Sequence, residues 1–441
     1  MEQIMNICQD KIAVKNIKKY EIYAVKSKKT VIQVKEGKVE FLNLAESKGL
    51  SLRLLNDEGR IGFAYTTDME ESALEYIVDQ ALTGSRLTSP DAFWEFPVET
   101  KSYPQLMICD TEIDLNPKIQ FTLEMEAAAK KHSPSIKKVR QAQFQDVWAE
   151  VYIKNHRGLN VNAERTLFSG SIMVMAEEKG QAEMGWHYEF NPFFSKLNSQ
   201  EIAQEAARLA TEALGAKPIP TQKTNVILTN RVTSEILNVL SPAFLADEVQ
   251  KGKSILAPHL GKTLFSPLIT IYDDGLYPQG YATRPFDDEG VPQQKTTLVK
   301  NGIINGFLYD SYTAAKENKH STGNAGRMGL EVPPKVEPTN FYLEPLSTSF
   351  AQLLKKLHKG LVVTEALGMH TADPISGDFS VGVAGYWVER GEKAFPVKGI
   401  AMAGNVINLF KNIIDIGEDL RFFGHCGAPS VLIEGIQISG Y

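Results

Sequence analysis

Twice in its first half, this 441-residue chain runs from helical spacing into strict apolar/polar alternation and back to helical spacing, with glycine-containing turns breaking the alternation. That order restricts the first half to antiparallel sheets flanked by helices. Ile4, Met5, Cys8, Ile12 and Val14 predict an opening helix with one buried face. EIYAVKSK, KTVIQVKEGKVEFLNLAE and GLSLRLLNDEGRIGFAYT then alternate, interrupted at Glu36-Gly37 and Asp57-Glu58-Gly59, as a meander requires. Leu74, Ile77, Val78 and Leu82 return to one helical stripe, with Gly84 as the expected stop.

After the Pro-containing connector Ser89 to Pro117, the order repeats. IQFTLEMEAAAKKH reads as a helix, the residues from Ile136 to Phe190 as strands turning at Asn155 to Gly158 and Glu177 to Gly180, and SQEIAQEAARLATEALGA as an alanine-rich helix ending at Gly215. The two prolines of AKPIPTQKT mark the best boundary. The expected organisation is therefore α+β, with an N-terminal domain of antiparallel meanders and helices over 1–221 and a β-rich, barrel-like antiparallel domain over 222–441. In the second domain the spacing predicts a helix around Val232 to Asp247, disturbed at Pro242. Asn301-Gly302 predicts a type I′ hairpin, Glu389 to Glu392 a second turn, and SVLIEGIQIS a closing strand. SFAQLLKKLHK and GNVINLFKNI are the helices that interrupt these strands.

Composition excludes several functions. With 47 Lys plus Arg against 53 Asp plus Glu, the chain carries a net charge of −6 and has no Lys/Arg-dense tract beyond Lys15 to Lys19 and Lys26 to Lys29, which argues against binding nucleic acid by phosphate neutralisation. Cys8, Cys109 and Cys426 are an odd set without a CxxC pair, which predicts reduced thiols and an intracellular protein. No signal peptide is evident and no run of 18 apolar residues occurs, so the expected location is cytoplasmic and no membrane contact is expected.

Several motifs in order carry a resemblance. GMHTADPISGDFSVGVAGYWVERGEKAFPVKGIAMAGNV and GAPSVLIEG, together with Asp273-Asp274-Gly275, DDEGVPQQKTTLVKNGIINGFLYD and GLSLRLLNDEGRIGFAYTTDMEESALEYIVDQAL, resemble the TldD/PmbA family, whose members have also been called modulators of DNA gyrase. The resemblance implies cytoplasmic zinc-dependent peptidase complexes that cleave unstructured or small peptides, built from a catalytic TldD-type subunit and a homologous PmbA/TldE-type subunit. Catalytic members carry His-Glu-x-x-x-His on a helix before the Asp-Asp-Gly segment, where two histidines share a metal and the Glu activates its water. Here that region, Arg231 to Ser254, contains no histidine, although Glu235 and Asp247-Glu248 are present. The chain therefore resembles the PmbA/TldE branch. This implies no catalytic residue and no cofactor in this chain, with zinc only in a catalytic partner, and a TldD-type homologue or a second copy as partner.

The candidate groove residues are Asp273, Asp274, His370, Asp373 and Asp378. A metal or acid/base cluster in HTADPISGD is weighed against turn formation, which Asp-Pro and Ser-Gly-Asp favour. Asp273-Asp274 and Asp287-Asp288-Glu289 suggest hard-cation ligands, but match no EF-hand pattern and read more simply as solvated turns. His425 and Cys426 are neighbours in a predicted extended segment, so their side chains point apart, and Cys426 is expected to be buried packing. Lys251-Gly252-Lys253-Ser254 lacks the upstream glycine of a phosphate loop. Trp148, Trp186 and Trp387 are expected as core or interface anchors. The leading expectation is a non-catalytic, peptide-binding subunit that captures extended segments by strand addition. The alternatives are a stand-alone peptidase with an unrecognised metal site, or a protein-binding modulator of DNA topology.

Overall fold

The computed structural model describes residues 1–98, 100 and 102–441. The first repeat comprises α1 (Glu2–Val14), β1 (Lys19–Lys35), β2 (Lys38–Leu55), β3 (Ile61–Thr66) and α2 (Glu71–Ser85). The second comprises α3 (Leu115–His132), β4 (Ile136–Asn155), β5 (Asn160–Glu178), β6 (Gln181–Asn191) and α4 (Ser199–Glu212). Both repeats join in one antiparallel sheet of order β3-β2-β1-β4-β5-β6, with the first strand of each repeat paired at its centre. All four helices pack on one face. Met5, Cys8, Ile12, Leu74, Ile77 and Val78 bury against β1 and β2, while Phe121, Met125, Ala203, Ala206 and Ala210 bury against β4 and β5.

The meander turns follow from backbone chemistry. A two-residue hairpin of the twist-compatible kind needs two successive positive φ angles. Glu36-Gly37, Lys179-Gly180, Asn301-Gly302 and Arg390-Gly391 all supply them, with glycine second each time. Gly84 does not terminate α2, which runs through Ser85 to a right-handed Arg86.

The second half opens with β7 (Gln222–Leu228) and α5 (Asn230–Leu240). The predicted helix from Val232 to Asp247 is broken. A 3₁₀ turn occupies Ser241–Phe244 around Pro242, and a short helix covers Ala246–Gln250. Strands Lys359–Leu367, Asp378–Glu389, Glu392–Asn405 and Val431–Ser439 join β7 in a closed five-stranded barrel, sealed by Ala401 and Met402 against Ser439 and Ile438. A second antiparallel-dominated sheet runs through Ile271–Asp274, Lys295–Lys300 and Phe341–Leu343 to the end strand Arg421–Phe423. Val232, Ile236 and Leu237 of α5, Phe244, Phe341 and Phe410 form the buried core of this half.

Candidate functional site

A cleft of about 400 Å³ lies between β5, β6 and α4 on one side and α5 with the barrel on the other. Alternation along β6 places Gly185 and His187 toward α4, and leaves Met184, Trp186 and Tyr188 on the opposite face. Trp186 and Tyr188 stack with ring centroids 4.9 Å apart, and Phe423 from the facing end strand meets Tyr188 at 6.3 Å. From α5, the Arg231 guanidinium lies 5.1 Å from the Trp186 ring and its Nε donates to Glu235 at 3.3 Å. Burial pushes the Glu235 carboxyl above its usual range despite that cation, and its Oε2 is buried without a hydrogen-bond partner. Thr364 and Glu365 line the far wall, at a register shift opposite Ala384 and Gly385. Glycine is required at 385, because an added Cβ would sit 1.9 Å from the Val362 carbonyl oxygen.

Arg421 closes one end. It donates to the Tyr188 carbonyl and to His187 Nε2, both at 2.9 Å, and pairs with Glu189 at 2.8 Å. Lys393–Glu212 and Lys398–Glu183, at 2.7 and 2.6 Å, tie the barrel to α4 and to β6 around the same opening. The cleft therefore offers aromatic surface, one end strand of each sheet, and charges of both signs. Apart from Arg421 at Tyr188, the outer edge of β6 makes no strand pairing among the described residues.

The donor set on α5 is unsuited to zinc. Zinc takes imidazole, thiolate or free carboxylate, whereas α5 presents Arg231, Ser234 and a Glu235 already paired with a cation. Ser234 donates to the Cys426 carbonyl at 2.9 Å, inside the core. Among the described residues no three His, Cys, Asp or Glu side chains are grouped to hold a metal.

None of the five candidates from sequence lines the cleft. His370, Asp373 and Asp378 are exposed. Asp373 accepts from the Ile375 amide at 2.8 Å, which holds its carboxyl below the usual range, and Asp378 accepts from Asn405 Nδ2 at 2.8 Å. The acidic clusters are not solvated turns. Asp273 and Asp287 are fully buried, and Asp274, Asp288 and Glu289 nearly so. The turns fold inward because donors await them. Asp273 accepts from Asn324 Nδ2, Thr339 Oγ1 and the Thr339 amide, all at 2.7 Å. Glu289 accepts from Arg53 at 2.9 Å, and Arg53 and Arg327 both donate to Glu21. This buried Glu21–Arg53–Glu289 chain, extended by Arg327, joins β1 and β2 to the second half of the molecule. Cys426 follows expectation, buried with its thiol pushed up to about 12 by burial, whereas His425 lies in the turn between Arg421–Phe423 and Cys426–Ala428 and not in an extended segment.

Trp186, Arg231 and Arg421 lie on three distant segments, and no spacing in the sequence brings them together as a site. The one signal present was an internal repeat, Gly62-Phe63-Ala64-Tyr65 against Gly185-Trp186-His187-Tyr188, each on the last strand of its meander.

Residues 20–84, 110–214 and 221–440 match, respectively, domain 1, the central domain and the C-terminal domain of the PmbA/TldA metallopeptidases. The chain belongs to the PmbA/TldD metallopeptidase family. It is 29% identical to the metalloprotease PmbA of Escherichia coli O157:H7 over 430 residues, covering 95% of this chain and 92% of that one. It is 30% identical to an uncharacterized protein of Methanocaldococcus jannaschii over 423 residues, covering 94% and 95%. The crystal structure of a putative modulator of a DNA gyrase from Thermotoga maritima superposes with a TM-score of 0.91 at 28% identity, covering 99% and 100% of the two chains. TldE from Thermococcus kodakarensis shares the fold, with a TM-score of 0.91 at 22% identity and 99% coverage of each chain.

Proposed function

We propose that this protein is the non-catalytic, PmbA/TldE-like subunit of a cytoplasmic peptidase. In this reading it holds unstructured or small peptides in the cleft while a zinc-bearing TldD-type homologue hydrolyses them. The observation that carries the reading is the Arg231–Glu235 pair. The helix that faces the cleft presents a guanidinium and a committed carboxylate where a hydrolytic metal would need histidines. A cleft bounded by the outer edge of β6 supports capture of extended chain, because an end strand offers main-chain donors and acceptors at regular spacing whatever the peptide sequence. Trp186, Tyr188 and Phe423 add apolar contact at low entropic cost.

The test is hydrolysis of a fluorogenic unstructured peptide by the chain alone, by the homologue carrying His-Glu-x-x-x-His, and by the mixture, each with added zinc. The mixture is expected to be active and the chain alone inactive. Chelator-sensitive activity from the chain alone would overturn the assignment.

A further inference from the structure

Charge is not balanced across the cleft. Each cation that lines it among the described residues, Arg208, Arg231, Lys393, Lys398 and Arg421, already sits in an ion pair within the chain. The lining carboxylates are not all taken up in return. Glu183, Glu205 and Glu212 belong to those pairs and Asp419 accepts from Ser430 Oγ at 2.7 Å, but Glu365 makes no hydrogen bond and no ion pair among the described residues. Glu235, on the neighbouring helix, adds to the excess. Arg231 holds its Oε1 at 3.3 Å, its Oε2 is buried without a partner, and burial, with the Glu365 carboxylate adding to it, raises its pKa against the Arg231 cation. The wall formed by α5 and the strand Lys359–Leu367 therefore carries uncompensated negative charge toward the cleft.

Glu365 reaches the cleft only because its strand is irregular. Leu361, Val363 and Ala366 all pack in the same core. Strict alternation would send residue 365 into that core after Val363 and turn residue 366 out of it. The register shift between Val363 and Glu365, opposite Ala384 and Gly385, inserts Thr364 as a bulge and turns the carboxylate to the cleft. The close passage of this bulge depends on Gly385, where an added Cβ would lie 1.9 Å from the Val362 carbonyl oxygen and 3.1 Å from the Thr364 amide nitrogen. A glutamate serving solubility alone requires no such device, whereas re-aiming a side chain beside a binding site is what bulges do.

We infer that Glu365 binds a primary ammonium of the captured peptide, either its free amino terminus or a lysine side chain, and so selects which extended segments the cleft holds. The inference rests on the reading of the cleft as a peptide site. Main-chain pairing along β6 is indifferent to sequence, and Glu365 adds the discrimination that pairing lacks. An ammonium is satisfied by one carboxylate backed by a second negative charge. Calcium, by contrast, needs about six to eight oxygen ligands, and among the described residues no three His, Cys, Asp or Glu side chains are grouped here. The Arg231 guanidinium lying 5.1 Å from the Trp186 ring shows that the aromatic side of the cleft also accommodates a cation.

The test is fluorescence anisotropy with the full chain and unstructured peptides of equal length, each carrying a C-terminal dye and no arginine. The first has a free amino terminus and no lysine, the second is N-acetylated without lysine, and the third is N-acetylated with a single central lysine. At least one ammonium-bearing peptide is expected to bind about tenfold more tightly than the acetylated, lysine-free one, and which of them does so identifies the source of the ammonium. Glu365→Gln, which keeps the shape and removes the charge, is expected to erase that difference at an unchanged melting temperature. Equal affinities of all the peptides for the wild type, or a difference that survives Glu365→Gln, would overturn the inference and leave peptide capture itself standing. Failure of every peptide to bind would overturn the reading of the cleft and the inference with it.

Discussion

Arg53 and Glu289 are 236 residues apart in the chain, and their side chains meet at 2.9 Å with both almost completely buried. Arg53 also clasps Glu21 on the neighbouring strand, so one guanidinium neutralises a carboxylate from each half of the molecule. Replacing it with Met leaves two carboxylates without that partner in a dry interface. The expected loss is about 3–5 kcal/mol, seen as a lowered urea midpoint. A loss below about 1 kcal/mol would mean that water or Arg327 takes over the pairing.

Asp273 makes stability depend on pH in an unusual direction. Burial raises its pKa from 3.8 to about 6, against three donated hydrogen bonds that favour the ionised form. The folded state therefore holds this proton more tightly than the unfolded chain does. Its contribution is complete below about pH 4 and is lost as pH rises through about 6. The stability difference between wild type and Asp273→Asn should accordingly shift against the wild type from about pH 4 to about pH 6.5 and be flat above that. Denaturant melts at a series of pH values read this directly, and a flat difference throughout would show that Asp273 titrates in the folded protein as it does in the unfolded chain.

Gly185 sits beneath α4, where an added Cβ would be 2.0 Å from the Ala206 carbonyl oxygen. Gly62 sits beneath α2 in the same way, 1.9 Å from the Ala81 oxygen. Either Gly→Ala change must push a helix off the sheet, at a cost of about 1–3 kcal/mol or more. Shrinking Ala206 to Gly should not rescue Gly185→Ala, because the obstructing atom belongs to the backbone. Thermal melts of the single and double variants decide this.

Trp186 and Arg231 support each other across the cleft. Trp186→Ala should weaken binding of an unstructured peptide by about tenfold, the range for an aromatic anchor, while leaving the melting temperature essentially in place. Fluorescence anisotropy of a labelled peptide is the measurement. Unchanged affinity would place the peptide elsewhere.

Thiol chemistry separates the three cysteines. Burial pushes the Cys8 and Cys426 thiols up to about 12, whereas Cys109 is exposed. Alkylation of the folded protein at about pH 8 followed by peptide mass mapping should label Cys109 first, with Cys8 and Cys426 modified only on unfolding. Rapid labelling of Cys426 would reopen a nucleophilic role for it.

Much of the fold is legible in the sequence because it is written in local rules. Glu36-Gly37, Asn301-Gly302 and Arg390-Gly391 announce their hairpins through backbone angles that few residue pairs accept. The helix faces of α1 and α2 follow largely from spacing, with Met5, Cys8, Leu74 and Ile77 buried as expected, but Val14, expected on the same face, is exposed at the last residue of α1, where the helix has run past the core. What alternation cannot convey is which charges find partners. The Asp287-Asp288-Glu289 turn reads as solvated because Arg53 is far upstream, just as Glu21 gives no sign of Arg327, 306 residues away. The cleft is hidden for a similar reason: Trp186, Arg231 and Arg421 come from three distant segments, and none belongs to a catalytic spacing.

The central pairing of β1 with β4 bears on how the protein is made. β1 is synthesised early, yet the strand that covers its second edge from Glu21 to Val34 begins only at Ile136. A nascent chain that has completed the first repeat carries a long bare edge through the synthesis of the connector and α3. Closing that loop is the long-range step on which the rest of the sheet waits. During translation, therefore, the first repeat is an unfinished object, and shielding β1 from other nascent chains is a task for chaperones until the second repeat leaves the ribosome.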